Sequence, residues 1–171
     1  TVTGAVQSVD GALTVNGIAF RTSGAALRDD GGAATTLSGE AELRGRVAEG
    51  EVVTVRGRID DGGGSGEADE IEVRHLVEGE LESRGPGRLV VAGAVVSVDD
   101  STAVTDRHGA PLASDDLAIG TRVEISGHGD GRGGVRATSV RESSDAAGVE
   151  RELRAFVVAV SGTFVDLAFA P

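Results

Sequence analysis

The chain has 171 residues, 39% apolar and only 2% aromatic, with 28 acidic against 16 basic side chains and a net charge of −12. The absence of cysteine excludes disulfides, thiol nucleophiles and thiolate metal sites, and because every basic residue is arginine there is no Schiff-base or phosphate-loop lysine. An acidic chain without a basic run argues against a nucleic-acid partner, and no stretch approaches the ~18 apolar residues of a membrane span.

In chain order, period-2 alternation predicts strands over residues 2–9, 13–22, 52–59 and 68–75, and then over 77–83, 88–91, 94–98, 122–127 and 135–141. The segment 24–49 carries Leu27, Leu37, Leu43 and Val47 and is expected to hold a short strand or one helical turn, while 103–117 fills the long connection of the second set. No segment keeps an i, i+3, i+4, i+7 pattern for three turns, so helix should be minor. Asp10-Gly11 is a short hairpin signal, since both residues tolerate positive φ. Two glycine-rich runs, Asp60-Asp61-Gly62-Gly63-Gly64-Ser65-Gly66 and His128-Gly129-Asp130-Gly131-Arg132-Gly133-Gly134, stand between the fourth and fifth strands of each set. Ser143-Ser144-Asp145-Ala146-Ala147-Gly148 reads as a linker.

The two sets are copies. Val2-Thr3-Gly4-Ala5-Val6 returns as Val77-Glu78-Gly79-Glu80-Leu81, and once more as Val149-Glu150-Arg151-Glu152-Leu153. Leu13-Thr14-Val15-Asn16-Gly17 returns as Leu89-Val90-Val91-Ala92-Gly93, and Gly50-Glu51-Val52-Val53-Thr54-Val55-Arg56-Gly57 as Gly120-Thr121-Arg122-Val123-Glu124-Ile125-Ser126-Gly127. The period exceeds the ~20–50 residues of a solenoid rung, so each copy is a small domain. Five short strands with one long mid-unit connection indicate a small closed barrel. The expected fold is all-β: two tandem five- to six-stranded OB-like small β-barrels plus a C-terminal partial repeat (strand or hairpin). The boundaries fall at 1–76, 77–145 and 149–171. With so few aromatics, the cores must be built from Val, Leu, Ile and Ala, with Phe20 in the first copy.

The series Val-x-Gly-x-Val, Leu-x-Val-x-Gly, Gly-x-x-Val-x-Val-x-Gly and Ala-x-x-Ile/Val resembles an uncharacterised bacterial family of exported tandem β-barrel modules, a domain of unknown function. The resemblance covers both copies and the opening of the third. It implies secretion to the periplasm or the exterior, several modules per chain, and no established activity. The chain opens inside a strand pattern without an initiator Met, which reads as a processed or trimmed end.

Candidate chemistry is sparse. His75, His108 and His128 lack the spacing of a zinc site and read as solvated. Asp29-Asp30, Asp60-Asp61, Asp99-Asp100 and Asp115-Asp116 lie beside Gly or Ser, where Asp is a default turn former. The reading is no cofactor, with calcium at these Asp-rich turns as the alternative to test. No Gly-x-Ser-x-Gly elbow occurs and no aromatic platform for a sugar is present, so the expectation is no enzyme and no catalytic residue. The segment 155–171 differs. Phe156, Val158, Val160, Phe164, Val165, Leu167 and Phe169 make an apolar run able to form about two strands, too few for a barrel, and an unpaired apolar hairpin is an aggregation hazard. These seven residues are the candidate assembly segment. The chain's own second module or a neighbouring subunit could cover it. The partner expected first is therefore another copy of this chain, added strand by strand into a homo-oligomer or filament in an extracellular structural role. The alternative is a monomeric OB-like module binding a peptide, protein or saccharide.

Overall fold

The computed structural model describes residues 1–29, 32–143, 152–161 and 164–169. Contacts divide the chain into two compact units, Thr1–Arg74 and His75–Pro171.

In the first unit β1 (Val2–Ser8), β2 (Leu13–Val15) and β3 (Ile18–Arg21) form an antiparallel meander. β4 (Ala26–Asp29), β5 (Thr35–Thr36) and α1 (Glu40–Arg44) follow, then β6 (Val52–Ile59) and β7 (Ser65–Val73). The sheet runs β3-β2-β1-β6-β7, and β3 pairs parallel with β7 to close a five-stranded barrel. This order, with a helix between the third and fourth barrel strands, is that of an OB barrel. β4 is the extra strand: it pairs parallel with the far end of β7, where Leu27 faces Ile71.

The second unit repeats the plan with β8 (Val77–Gly85), β9 (Arg88–Val91), β10 (Ala94–Ser97), β11 (Ala103–Thr105), β12 (Arg122–Gly129) and β13 (Val135–Glu142). Its sheet runs β10-β9-β8-β12-β13-β11, closed by a parallel β10–β13 pairing. A single 3₁₀ turn, Ser114–Asp116, stands where the first unit has its helix. The third copy contributes β14 (Glu152–Leu153), which adds to β8, and β15 (Phe156–Ser161) with β16 (Phe164–Ala168), which pair with each other.

Alternation places the inward residues as expected for half-buried strands. One core gathers Leu13, Phe20, Leu37, Leu43 and Ile71, the other Leu81, Leu89, Leu117 and Ile125, all essentially inaccessible to solvent. Buried Leu43 of α1 sits among residues of the first core, and the helix is tied to the β1–β2 loop. Gly11 N donates to Glu40 Oε1 at 2.7 Å, and Arg44 reaches both Asp10 and Glu40. In the second unit Leu117, beside its 3₁₀ turn, occupies the core without a helix.

Two expectations change. Residues 13–22 are not one strand but the β2–β3 hairpin, because Asn16 and Gly17 both take positive φ, 51° and 76°; a two-residue turn of this kind matches the twist of the flanking strands. The segment 24–49 holds both a strand pair and a helical turn, rather than one or the other.

The repeated glycines mark close backbone approaches. Both copies carry a bulge between the fourth and fifth barrel strands, where Arg56-Gly57 faces the extra residue Asp69 of β7 and Ser126-Gly127 faces the extra residue Thr138 of β13. A Cβ on Gly57 would lie 2.0 Å from Glu67 O, and one on Gly127 would lie 2.2 Å from Arg136 O. The terminal glycine of Gly-x-x-Val-x-Val-x-Gly is therefore required by the bulge, which lets the strand bend around the barrel.

Candidate functional site

The seven residues of the candidate assembly segment fall in three places. Phe156, Val158 and Val160 lie in β15, while Phe164, Val165 and Leu167 lie in β16. The pairing runs from Phe156↔Ala168 to Ser161↔Phe164, with an irregularity between Val157 and Ala159 that takes in Val158. Phe169 lies beyond the hairpin and packs, partly buried, against the core of the second barrel. Among the described residues β15 and β16 form a sheet of their own, joined to neither barrel.

The hairpin corresponds to the second and third strands of a module. Its closing pair Ser161↔Phe164 matches Val91↔Ala94 and Val15↔Ile18, each separated by two residues. β14 corresponds to the first strand, yet it pairs antiparallel with β8, Glu152 opposite Glu78 and Leu153 opposite Val77. Arg154 N donates to Leu76 O at 3.0 Å to continue this ladder. The third copy is thus divided between a strand added to the second barrel and a separate hairpin.

The edge that receives β14 has a counterpart in the first unit. In both modules the first strand pairs with the fourth along its opening residues and with the second only further on. The opening residues therefore leave one side of the strand without a barrel partner. In the second unit β14 takes that side. In the first, Asn16 Nδ2 donates to Thr3 O at 3.0 Å from the β2–β3 turn, with its side chain packed over Gly4.

A polar cluster lies in the second unit, where sequence reading had only a lone histidine. Glu124 on β12 accepts from Arg141 on β13, Nε at 3.1 Å and Nη2 at 2.7 Å, and from the Ser143 hydroxyl at 2.8 Å. His75 Nε2 lies 3.9 Å from the same carboxylate, and its side chain is only 4% exposed. His75 is buried rather than solvated. Burial pushes the Glu124 carboxyl up, but the Arg141 charge and hydrogen bonds, the His75 ring and the Ser143 hydroxyl together hold it below the ordinary glutamate value. The signal for this cluster was the β12–β13 hairpin, whose register sets Glu124 opposite Arg141. The serine, carboxylate and imidazole stand in the wrong order for nucleophilic catalysis: the carboxylate lies between hydroxyl and ring, whereas a triad needs the imidazole between them.

The other ionic groups brace the sheets. Glu70 accepts from Arg56 at 2.6 Å and Arg28 at 3.0 Å, and these two bonds hold its carboxyl below the ordinary value. Glu78 pairs with Arg122 at 2.8 Å across β8 and β12. Acidic side chains at the turns bind their own loops: Asp106 accepts from Ala110 N and His108 N, and Asp130 accepts from Arg132 N and Gly134 N. Asp60 takes the Ser65 hydroxyl, and Asp99 takes the hydroxyl and N–H of Ser101. His128 is exposed on β12, opposite Arg136. Among the described residues no group of three or more His, Asp or Glu side chains is placed to hold a metal ion. Asp30 lies outside the described residues. No described helix is long and apolar enough to cross a membrane.

A family model described as Domain of unknown function (DUF5666) matches residues 3–72 and, a second time, residues 78–141. No curated protein and no solved structure matches the chain.

Proposed function

The chain belongs to the DUF5666 family, a domain of unknown function present here in two tandem copies, and we propose that it is a non-enzymatic, exported structural module that assembles with further copies of itself through its C-terminal partial repeat. The observation that carries this reading is the β15–β16 hairpin, which corresponds to two strands of a five-stranded barrel and among the described residues joins neither barrel. An open apolar hairpin gains most by pairing with another strand edge. A head-to-tail contact of that kind is heterologous and propagates when its rotation does not close. Export is the part of the proposal that rests on family resemblance alone. Deleting residues 155–171 tests assembly: large species seen by light scattering and electron microscopy should disappear, and unchanged assembly sinks the proposal.

A second reading, a monomeric binding module, is favoured by one feature. Beside the β6–β7 loop lies an open depression of about 440 Å³ lined by Arg58, Ile59, Asp60, Asp61 and Glu67. OB barrels bind ligands with the loop between their fourth and fifth strands. A monodisperse monomer with a saturable small ligand would support this reading over assembly.

A further inference from the structure

We infer that the outer edge of each module's first strand is a strand-acceptor site, that a single residue in the following hairpin turn opens or shuts it, and that the partner it takes is a strand of the Glu152–Leu153 type, supplied within the chain or by a second copy. Only the second-copy source rests on the assembly reading above.

The edge is defined by hydrogen-bond direction. Along an antiparallel strand successive residues point their N–H and C=O to opposite sides. In the second unit Leu81 N donates to Thr121 O, so Leu81, Gly79 and Val77 turn toward β12. Glu78 therefore turns outward, and Glu152 of β14 stands opposite it. In the first unit Val6 exchanges hydrogen bonds with Glu51 O and Gly50 N on the β6 side. Gly4 and Val2 point the same way, and Thr3 turns outward like Glu78. The two edges are equivalent in sequence and in direction.

They differ in what reaches them from the turn. Asn16 and Ala92 occupy the same position of the two hairpins, both left-handed, with φ of 51° and 49°. Asn16 spends its amide on Thr3 O, the atom whose counterpart on Glu78 faces β14. Ala92 has no such group, although alanine is a poor residue for left-handed backbone whereas asparagine adopts it readily. A strained residue persists where surrounding structure holds it, and such residues cluster at binding sites. Here the strained alanine coincides with the edge that has received a strand. The tolerated asparagine coincides with the edge that has not. Asn16 acts as an edge guard, in the manner of other devices that keep sheet edges from pairing.

The test is amide hydrogen exchange on the full chain and two exchanged variants. In Ala92→Asn the new amide should compete for Glu78 O. Exchange at Glu152 and Arg154 should then rise by on the order of tenfold, while the barrel amides of β12 and β13 stay protected. In Asn16→Ala, a synthetic peptide of residues 149–155 should protect the Thr3 and Ala5 amides in a saturable way, and the parent chain should show no such protection. If β14 stays protected in Ala92→Asn with the barrel intact, the inference is overturned. It is equally overturned if the peptide leaves Thr3 and Ala5 unchanged in Asn16→Ala, an arm that stands even where Ala92→Asn fails to fold. Release of β14 without any change in assembly would uphold the acceptor edge and count against the assembly reading instead.

Discussion

Asn16 and Ala92 hold the same left-handed turn position in the two modules, at φ of 51° and 49°, but Asn16 ties the turn to the first strand with its side chain, through Thr3 O at 3.0 Å, whereas Ala92 reaches Glu80 O with its backbone N–H alone, at 3.5 Å. Replacing Asn16 by alanine removes that bond and puts a residue with less tolerance for left-handed backbone in its place. The loss expected is about 1–2 kcal/mol, summed from a net hydrogen bond and the left-handed penalty. Urea unfolding of the first module, followed separately from the second, measures it. A change below about 0.3 kcal/mol would show that the turn is held by the strands alone.

Ala92→Gly separates strain from capping. Glycine accepts positive φ without a Cβ penalty and offers no amide to Glu78. The second module should gain about 0.5–1 kcal/mol. Exchange at β14 should stay as in the parent, because the edge remains open. A destabilised variant would mean that the Ala92 methyl, which sits against Gly79, contributes more by packing than its backbone costs.

The bulge glycines give a sharper contrast. Gly127→Ala drives a Cβ to 2.2 Å from Arg136 O and 3.0 Å from Ala137 Cα, both backbone atoms with little room to yield. A cost of about 1–3 kcal/mol is expected, the usual range for overpacking. Gly85→Ala, whose Cβ would meet nothing within 4 Å, should change stability by less than about 0.5 kcal/mol. Comparable thermal midpoints for the two variants would refute the role assigned to the motif.

Much of this fold was legible because each module is written in alternating valines. Residues 52–59 and 88–91 are strands as expected, since inward Val53, Val55, Leu89 and Val91 alternate with outward neighbours. The break at Asn16-Gly17 was missed, because the strand pattern of Leu13-Thr14-Val15 resumes at Ile18 and hides the two-residue turn. What could not be read was any feature that depends on which strands meet. The Glu124–Arg141 pair needs the β12–β13 register, and the placing of His75 beside Glu124 needs the same sheet to form. The division of the third copy was equally hidden. Its first strand resembles Val77–Leu81 in sequence, yet it pairs with that strand instead of building its own barrel.

Millimolar calcium should leave the melting temperature unchanged. The carboxylates of Asp99, Asp106 and Asp130 are engaged by N–H groups of their own turns, which a cation would have to displace. A ligand stabilises only by RT ln(1 + [L]/Kd), so a site weaker than the added concentration gives no measurable rise. A calcium-dependent increase of several degrees that is lost in Asp60→Asn would reverse this expectation.

Glu124 links the cluster around His75 to pH. Its folded carboxyl titrates below the ordinary value of 4.5, because Arg141, His75 and Ser143 outweigh the upward push of burial. A group depressed in the folded state stabilises the fold above its unfolded pKa, and that contribution is lost as pH falls through the folded value. Glu124→Gln removes the charge while keeping the shape, and Arg141, only 19% exposed, loses the Glu124 carboxylate. At neutral pH the variant should be less stable by about 2 kcal/mol, below the 3–5 kcal/mol of a fully buried broken pair because some solvent reaches both groups. Below pH 4.5 the gap should close, as the parent's own carboxyl takes up a proton and comes to resemble the amide. Urea midpoints of parent and variant from pH 7 to pH 3 measure this directly. A gap that stays constant across the whole range would show that Glu124 contributes through shape and hydrogen bonding, with its charge making no difference.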